Sequence, residues 1–161
     1  TLADLKGKRV AHSSPSSNSG NLAPRALFPQ QGLVPERDYK VIYSGKHDHS
    51  IIGVQRGDYD AAVIADDVLT RMAQRGVVRE VDFRVIYTSA PFPSGSMVMA
   101  HDLHPALAKK IRDCTLSYRF GAELQGAFHG ADRYVTMNYK RDFATVRAVA
   151  KAALAEPSPR K

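Results

Sequence analysis

The sequence predicts an α/β fold whose sheet is small, mainly parallel and flanked by helices. Three observations carry this prediction. Strand-like and helix-like runs alternate three times in the first half of the chain. The third strand-like run, Ala61-Ala62-Val63-Ile64-Ala65, is continuously small and apolar, which suits a parallel strand covered on both faces. Short polar loops follow the strands where helices should begin. A βαβαβα order at this spacing requires parallel pairing through right-handed crossovers.

The elements follow in order. A turn at Leu5-Lys6-Gly7-Lys8 leads into a buried strand at 9–12. A helix is expected over 19–31, with Pro24 early enough that its missing N–H does little harm and Gly32 at its end. A second strand occupies 39–43 and a second helix 48–56, stopped by Gly57. After the third strand, a helix over 66–74 opens with Asp66-Asp67, acids that favour a helix N-terminus. The pattern then changes. Strands are expected at 84–88 and 96–100, joined by a Pro/Gly turn at 90–95. A helix beginning at Asp102 or His104 runs to Tyr118, a short one spans 121–128, 134–138 is extended or irregular, and a last helix covers 142–154 before a frayed tail at 156–159.

Composition excludes several classes. The 161 residues make one or at most two small domains. No apolar run approaches the ~20 residues of a membrane-spanning helix. The chain opens with Thr1 rather than Met and reads as a mature or excised piece. Cys114 is single, so no internal disulfide forms; its helical setting suits a small buried apolar role. His12 and His129 have no metal-ligand spacing with each other or with the other histidines. The net charge of +7 fits an anionic partner, but the basic residues are scattered and not interleaved with aromatics, so no nucleic-acid partner is expected.

Two loops concentrate the chemistry: Ser16-Ser17-Asn18-Ser19-Gly20 after the first strand and Ser44-Gly45-Lys46-His47-Asp48 after the second. Both lie at carboxyl ends of strands, where open α/β sheets bind ligands, as does Asp66-Asp67. Free N–H groups at helix N-termini hold anions, so hydroxyls and a histidine there predict an oxyanion pocket. Ser16 to Ser19 also suits plain helix capping, Asp66 and Asp67 plain dipole compensation, and Lys46 and His49 plain solvation.

These segments together resemble the substrate-binding proteins of bacterial phosphonate and phosphite ABC transporters, clamshells of the type II periplasmic binding fold. The matching pieces are Asp4-Leu5-Lys6-Gly7-Lys8, Ser16-Ser17-Asn18-Ser19-Gly20, Pro24-Arg25-Ala26, Ser44-Gly45-Lys46-His47-Asp48, Asp58-Tyr59-Asp60-Ala61-Ala62, Asp66-Asp67-Val68-Leu69, Ser89-Ala90-Pro91-Phe92-Pro93 and the stretch 139–147. The resemblance implies one lobe of the clamshell. Residues 1–101 would be the second, ligand-binding lobe with hinge strands near 84–100, and residues 102–161 a helical segment returning to a first lobe absent from this chain.

The resemblance also implies roles. Ser17, Asn18, Ser19 and Gly20 match the stretch that holds phosphonate oxygens, with Asn18 where threonine is common. His47 matches a histidine donating to the oxyanion, and Asp67 an acid facing the ligand. Gly95 stands where binders of amino-phosphonates carry an acid, which favours phosphate, phosphite, hypophosphite or methylphosphonate over an amine-bearing ligand. The implied function is capture of a small phosphorus oxyanion for ABC-transporter uptake, without cofactor or catalysis. The partner would be a permease, and the place the periplasm or a lipid anchor at the outer face of the cytoplasmic membrane. Surface left by the missing lobe favours self-association. The alternative is a sensing domain of a signalling protein or regulator with the same fold. An enzyme built on Ser17 or Ser19 with His47 and an Asp is disfavoured, since there is no Gly-x-Ser-x-Gly elbow.

Overall fold

Val10 and Ala11 lie fully buried at the centre of a three-stranded parallel sheet in the computed structural model, which describes residues 1–91, 93, 96–128 and 130–155. Strand β1 (Arg9–His12) pairs with β2 (Lys40–Tyr43) and with β3 (Ala61–Ala62), both in parallel, in the order β2-β1-β3. The registers put Ala11 opposite Ile42 on one side and Ala62 on the other. The β3 ladder is shorter than the apolar run, though Val63 N–H still donates to the Ala11 carbonyl at 2.9 Å. An apolar central strand is what coverage on both faces demands.

The strand order reverses at β1. Right-handed crossovers then put the helix after β1 on one face and the helix after β2 on the other. Two buried clusters reflect this. One gathers Leu2, Leu5, Val10, Phe28, Leu33, Tyr39 and Val41; the other gathers Ile51, Met72 and Val78, with Ile64, Val68 and Leu69 packed against it.

The helical stretch after β1 changes register twice. A π-helical turn (Asn18–Leu22) passes into α1 (Ala23–Leu27) and then a 3-10 turn (Pro29–Gln31). Pro24 explains part of this, because it has no N–H to give the Gly20 carbonyl four residues back. That carbonyl instead accepts from Ser13 N–H at 3.1 Å, which folds the helix start onto the end of β1. Helix α2 (His47–Arg56) ends at Gly57, whose φ of 80° is the left-handed conformation that glycine adopts at helix ends. Helix α3 (Asp66–Gln74) runs over the expected residues.

The expected strands at 84–88 and 96–100 are not strands: neither segment joins a ladder among the described residues. A β-branched, alternating run specifies a face to bury but does not supply the neighbouring strand. The first segment keeps only the burial, since Ile86 and Tyr87 pack on the Val10 cluster and the Tyr87 ring meets Phe28 edge-on at 5.4 Å. Phe92, Ser94 and Gly95 of the expected turn, His129 and the tail at 156–159 lie outside the described residues.

The chain divides into two compact units, Thr1–Pro91 with Ala144–Lys161, and Phe92–Phe143. These boundaries fall after 91 and before 144, whereas the lobe and helical segment expected from the sequence meet after 101. In the first unit the last helix, α7 (Ala144–Ala155), packs on α1 and the π-helical turn and buries Val149. The second unit holds α4 (Pro105–Ser117), capped by His104 Nδ1 accepting from Ala106 N–H, then α5 (Ala122–Ala127) and α6 (Tyr139–Asp142). Phe120 is its buried centre, with Tyr118, Phe128 and Tyr134 around it. Cys114 is exposed rather than buried, since α4 buries no residue among those described.

Candidate functional site

A cavity of about 410 Å³ opens at the carboxyl ends of the strands. Three segments line it. The stretch after β1 gives Ser13, Ser14 and Ser17, and the loop after β2 with the start of α2 gives Gly45, Lys46, His47 and Asp48. One face of α3 gives Val68, Arg71, Met72 and Arg75, a spacing of three and four residues that puts them in one row. The convergence follows from topology, because the cavity sits where the strand order reverses.

His47 is half-buried and its tautomer is fixed. Ala65 N–H donates to His47 Nδ1 at 3.3 Å, so in the neutral ring the proton sits on Nε2. Nε2 lies 3.4 Å from Ser19 Oγ, a long donor contact that leaves the Ser19 proton to point onward. Burial pushes the imidazole below its usual value; nearby Asp67 and Asp48 oppose this and Arg71 adds to it. Burial thus favours the neutral ring, whose one N–H meets Ser19 Oγ only at 3.4 Å and can be redirected to an anion in the cavity that His47 lines.

The serine loop is held from both ends. Ser17 caps the π-helical turn by accepting Gly20 N–H at 3.1 Å, and the Asn18 carbonyl accepts Ala23 N–H. Gly20 sits where a side chain has no room: a Cβ there would come 1.8 Å from Ser13 Oγ and 2.8 Å from His47 Cε1. The loop after β2 is tied to β1, with Ser44 N–H donating to the His12 carbonyl at 2.9 Å and Gly45 N–H to that of Ser13 at 2.6 Å.

Beneath the serine loop lies a polar network invisible as a motif. His12, fully buried, meets Asn21 Oδ1 through Nδ1 at 2.8 Å and Tyr39 Oη through Nε2 at 3.0 Å. Since the amide oxygen only accepts, His12 carries its proton on Nδ1 and takes the Tyr39 hydroxyl proton on Nε2. Asn21 Nδ2 donates to the Pro15 carbonyl at 2.6 Å, and Arg25 Nε donates to Asn21 Oδ1 at 3.1 Å. Burial drives His12 down to about 4, with the Asn21 bond opposing, and drives Tyr39 up. The network anchors the middle of the loop to the sheet.

The structure thus places the residues singled out from sequence as follows. Ser17 and His47 line the cavity, Ser19 bonds His47, and Gly20 provides close approach. Asn18 enters through its backbone. Asp67 pairs with Arg71 one turn along α3, so its carboxylate holds a cation that lines the cavity. Sequence reasoning missed Ser13, Arg71, Arg75 and the His12–Asn21 support. Row spacing along α3 and two polar residues among apolar neighbours were the available signals.

A small parallel sheet flanked by helices, with a polar cavity at its strand ends, is consistent with one lobe of a periplasmic binding protein. The chain is a member of the family of ABC-transporter phosphonate periplasmic substrate-binding proteins, whose model matches residues 1–142. It is 30% identical over 120 residues to the phosphate-import protein PhnD of Mycolicibacterium smegmatis, an alignment covering 69% of this chain and 37% of that protein. In three dimensions it resembles XAC2383 from Xanthomonas citri bound to chloride ion, with a TM-score of 0.64 and 18% identity over 94% of this chain and 61% of that one, a likeness of fold alone. The chain therefore spans little more than a third of its curated relative. The family comprises transport binding proteins rather than enzymes.

Proposed function

We propose that this chain is the oxyanion-holding lobe of an ABC importer's substrate-binding protein. Its ligand is a small phosphorus oxyanion: phosphonate, phosphite, hypophosphite or phosphate. The observation that carries this is His47, a neutral ring with its N–H fixed on Nε2, set among Ser17, Ser19, Lys46, Arg71 and Arg75. Such a set gives directed donors and positive potential, with Asp48 the one lining carboxylate among the described residues. The named relative, a phosphate-import protein, supports phosphate as one member of the range. In the whole protein the bound anion passes to a permease, and the working place is the periplasm or the outer face of the cytoplasmic membrane.

Titration with phosphate, phosphite, methylphosphonate and sulfate, followed by amide chemical shifts, tests the reading. One or more phosphorus oxyanions should move the Ser17–Gly20 and His47 resonances, and sulfate should move them less. His47→Ala should weaken binding by about 1–3 kcal/mol, the scale of a buried hydrogen bond to a charged group. Unchanged affinity in that variant removes His47 from the site.

The second unit supports self-association of the isolated chain. Val98, Val135, Tyr139 and Met97 are well exposed there. Sedimentation should show a mass that rises with concentration, and a constant monomer mass rejects the idea.

A further inference from the structure

Ser13 Oγ is the one buried side-chain polar atom without a hydrogen-bond partner among the described residues. The residue is 2% exposed and lines the cavity. Buried hydroxyls are almost always paired, so an unpaired one needs a reason. Its backbone is fully engaged: Ser13 N–H donates to the Gly20 carbonyl at 3.1 Å, and its own carbonyl accepts Gly45 N–H at 2.6 Å. Ser13 is therefore clamped between the two polar loops. Its hydroxyl and the His47 ring both border the space that a side chain at Gly20 would fill.

The neighbouring groups are partly committed. Ser17 Oγ accepts Gly20 N–H, Ser19 Oγ faces His47 Nε2, and Arg71 pairs with Asp67. Ser13 is the lining residue whose hydroxyl is buried yet keeps its proton and both lone pairs unpaired among the described residues. We propose that Ser13 is a ligand-contacting residue whose hydroxyl hydrogen-bonds an oxygen of the bound oxyanion beside His47. A hydroxyl can donate to a bare oxygen or accept from a protonated one, whereas Lys46, Arg71 and Arg75 can only donate. Ser13 thus suits oxyanions that carry one proton near neutral pH, as phosphate does. This inference rests on the oxyanion reading above.

The test uses the whole chain and inorganic phosphate. Without phosphate, Ser13→Ala should melt at the same temperature as the unaltered chain or higher, because it removes an unpaired buried hydroxyl. With phosphate, its Kd should rise about tenfold, the ratio one ordinary hydrogen bond makes. A Kd unchanged by Ser13→Ala overturns the inference alone. A large fall in melting temperature makes the hydroxyl a structural group and overturns it too. In the unaltered chain, the Ser13 amide resonance should also move with phosphate to saturation, and a resonance that stays fixed overturns the inference. An unaltered chain that shows no phosphate response overturns the oxyanion reading and this inference with it.

Discussion

The two compact units differ in what holds them together. The unit formed by 1–91 and 144–161 has two buried apolar clusters, and Leu33, Tyr39 and Ile51 within them are almost wholly removed from water. Among the described residues, the unit formed by 92–143 buries one apolar side chain, Phe120, and leaves Met97, Val98, Phe128 and Val135 in solvent. Burial scales roughly as 25 cal/mol per Å² of apolar surface, so the first unit carries most of the chain's stability. All candidate site residues lie in that unit. The difference teaches that the site sits in the unit with the larger core, whose two apolar clusters are formed, among the described residues, by side chains of 1–91.

The largest expected effect tests that separation. Leu33→Ala should cost about 2–5 kcal/mol by emptying volume in a packed cluster, and should abolish the oxyanion response with the fold. Phe120→Ala should disperse the Tyr118, Phe128 and Tyr134 rings but leave oxyanion affinity within twofold. Thermal melts and phosphate titration of both variants read the contrast. Loss of binding in Phe120→Ala would break it.

Acid gives the next effect. His12 is neutral in the folded unit, with its value lowered to about 4 from 6.5. Above the unfolded value both states are neutral and stability is complete. As the pH falls below about 6.5 the unfolded chain gains a proton that the folded unit refuses, and stability declines until about pH 4, where the folded ring also titrates. At 1.36 kcal/mol per unit the full loss is on the order of 3 kcal/mol. Urea melts between pH 7 and 4 should show it, and His12→Asn should lack that share of the slope. A slope identical in the variant would take His12 out of the acid response.

How far the sequence disclosed this molecule differs between the units. The alternation of 9–12, 39–43 and 61–65 with helices was legible because each strand is short, apolar and followed by a cap or glycine, and helices over 47–56 and 66–74 appear within a residue of their expected bounds. Segments 84–88 and 96–100 were misread because a strand is a property of two chains, and their composition says nothing of a partner. In the site, Ser17, Ser19 and His47 were legible as polar residues at helix starts. Ser13 and His12 were not, since a polar residue in a buried strand becomes meaningful only when its neighbours are known. Arg71 needed the three-dimensional pairing with Asp67.

The smallest expected effect sharpens the site's side of the comparison. Asp67 was expected to face the ligand, yet in the structure its carboxylate meets Arg71 at i+4, with both side chains about one-third exposed. Such a pair stabilises a helix by roughly 0.3–0.5 kcal/mol. Asp67→Asn should therefore lower the melting temperature only slightly. Its effect on affinity separates the two roles. If Asp67 only holds Arg71, the substitution frees a guanidinium that lines the cavity and removes a nearby negative charge, so phosphate should bind two- to threefold more tightly, an effect that fades with added salt because it is electrostatic. If Asp67 instead accepts a hydrogen bond from the ligand, affinity should fall, and fall most at the lower pH where phosphate carries more protons. The sign of the change, read by phosphate titration at low and high salt, assigns Asp67 to one role or the other.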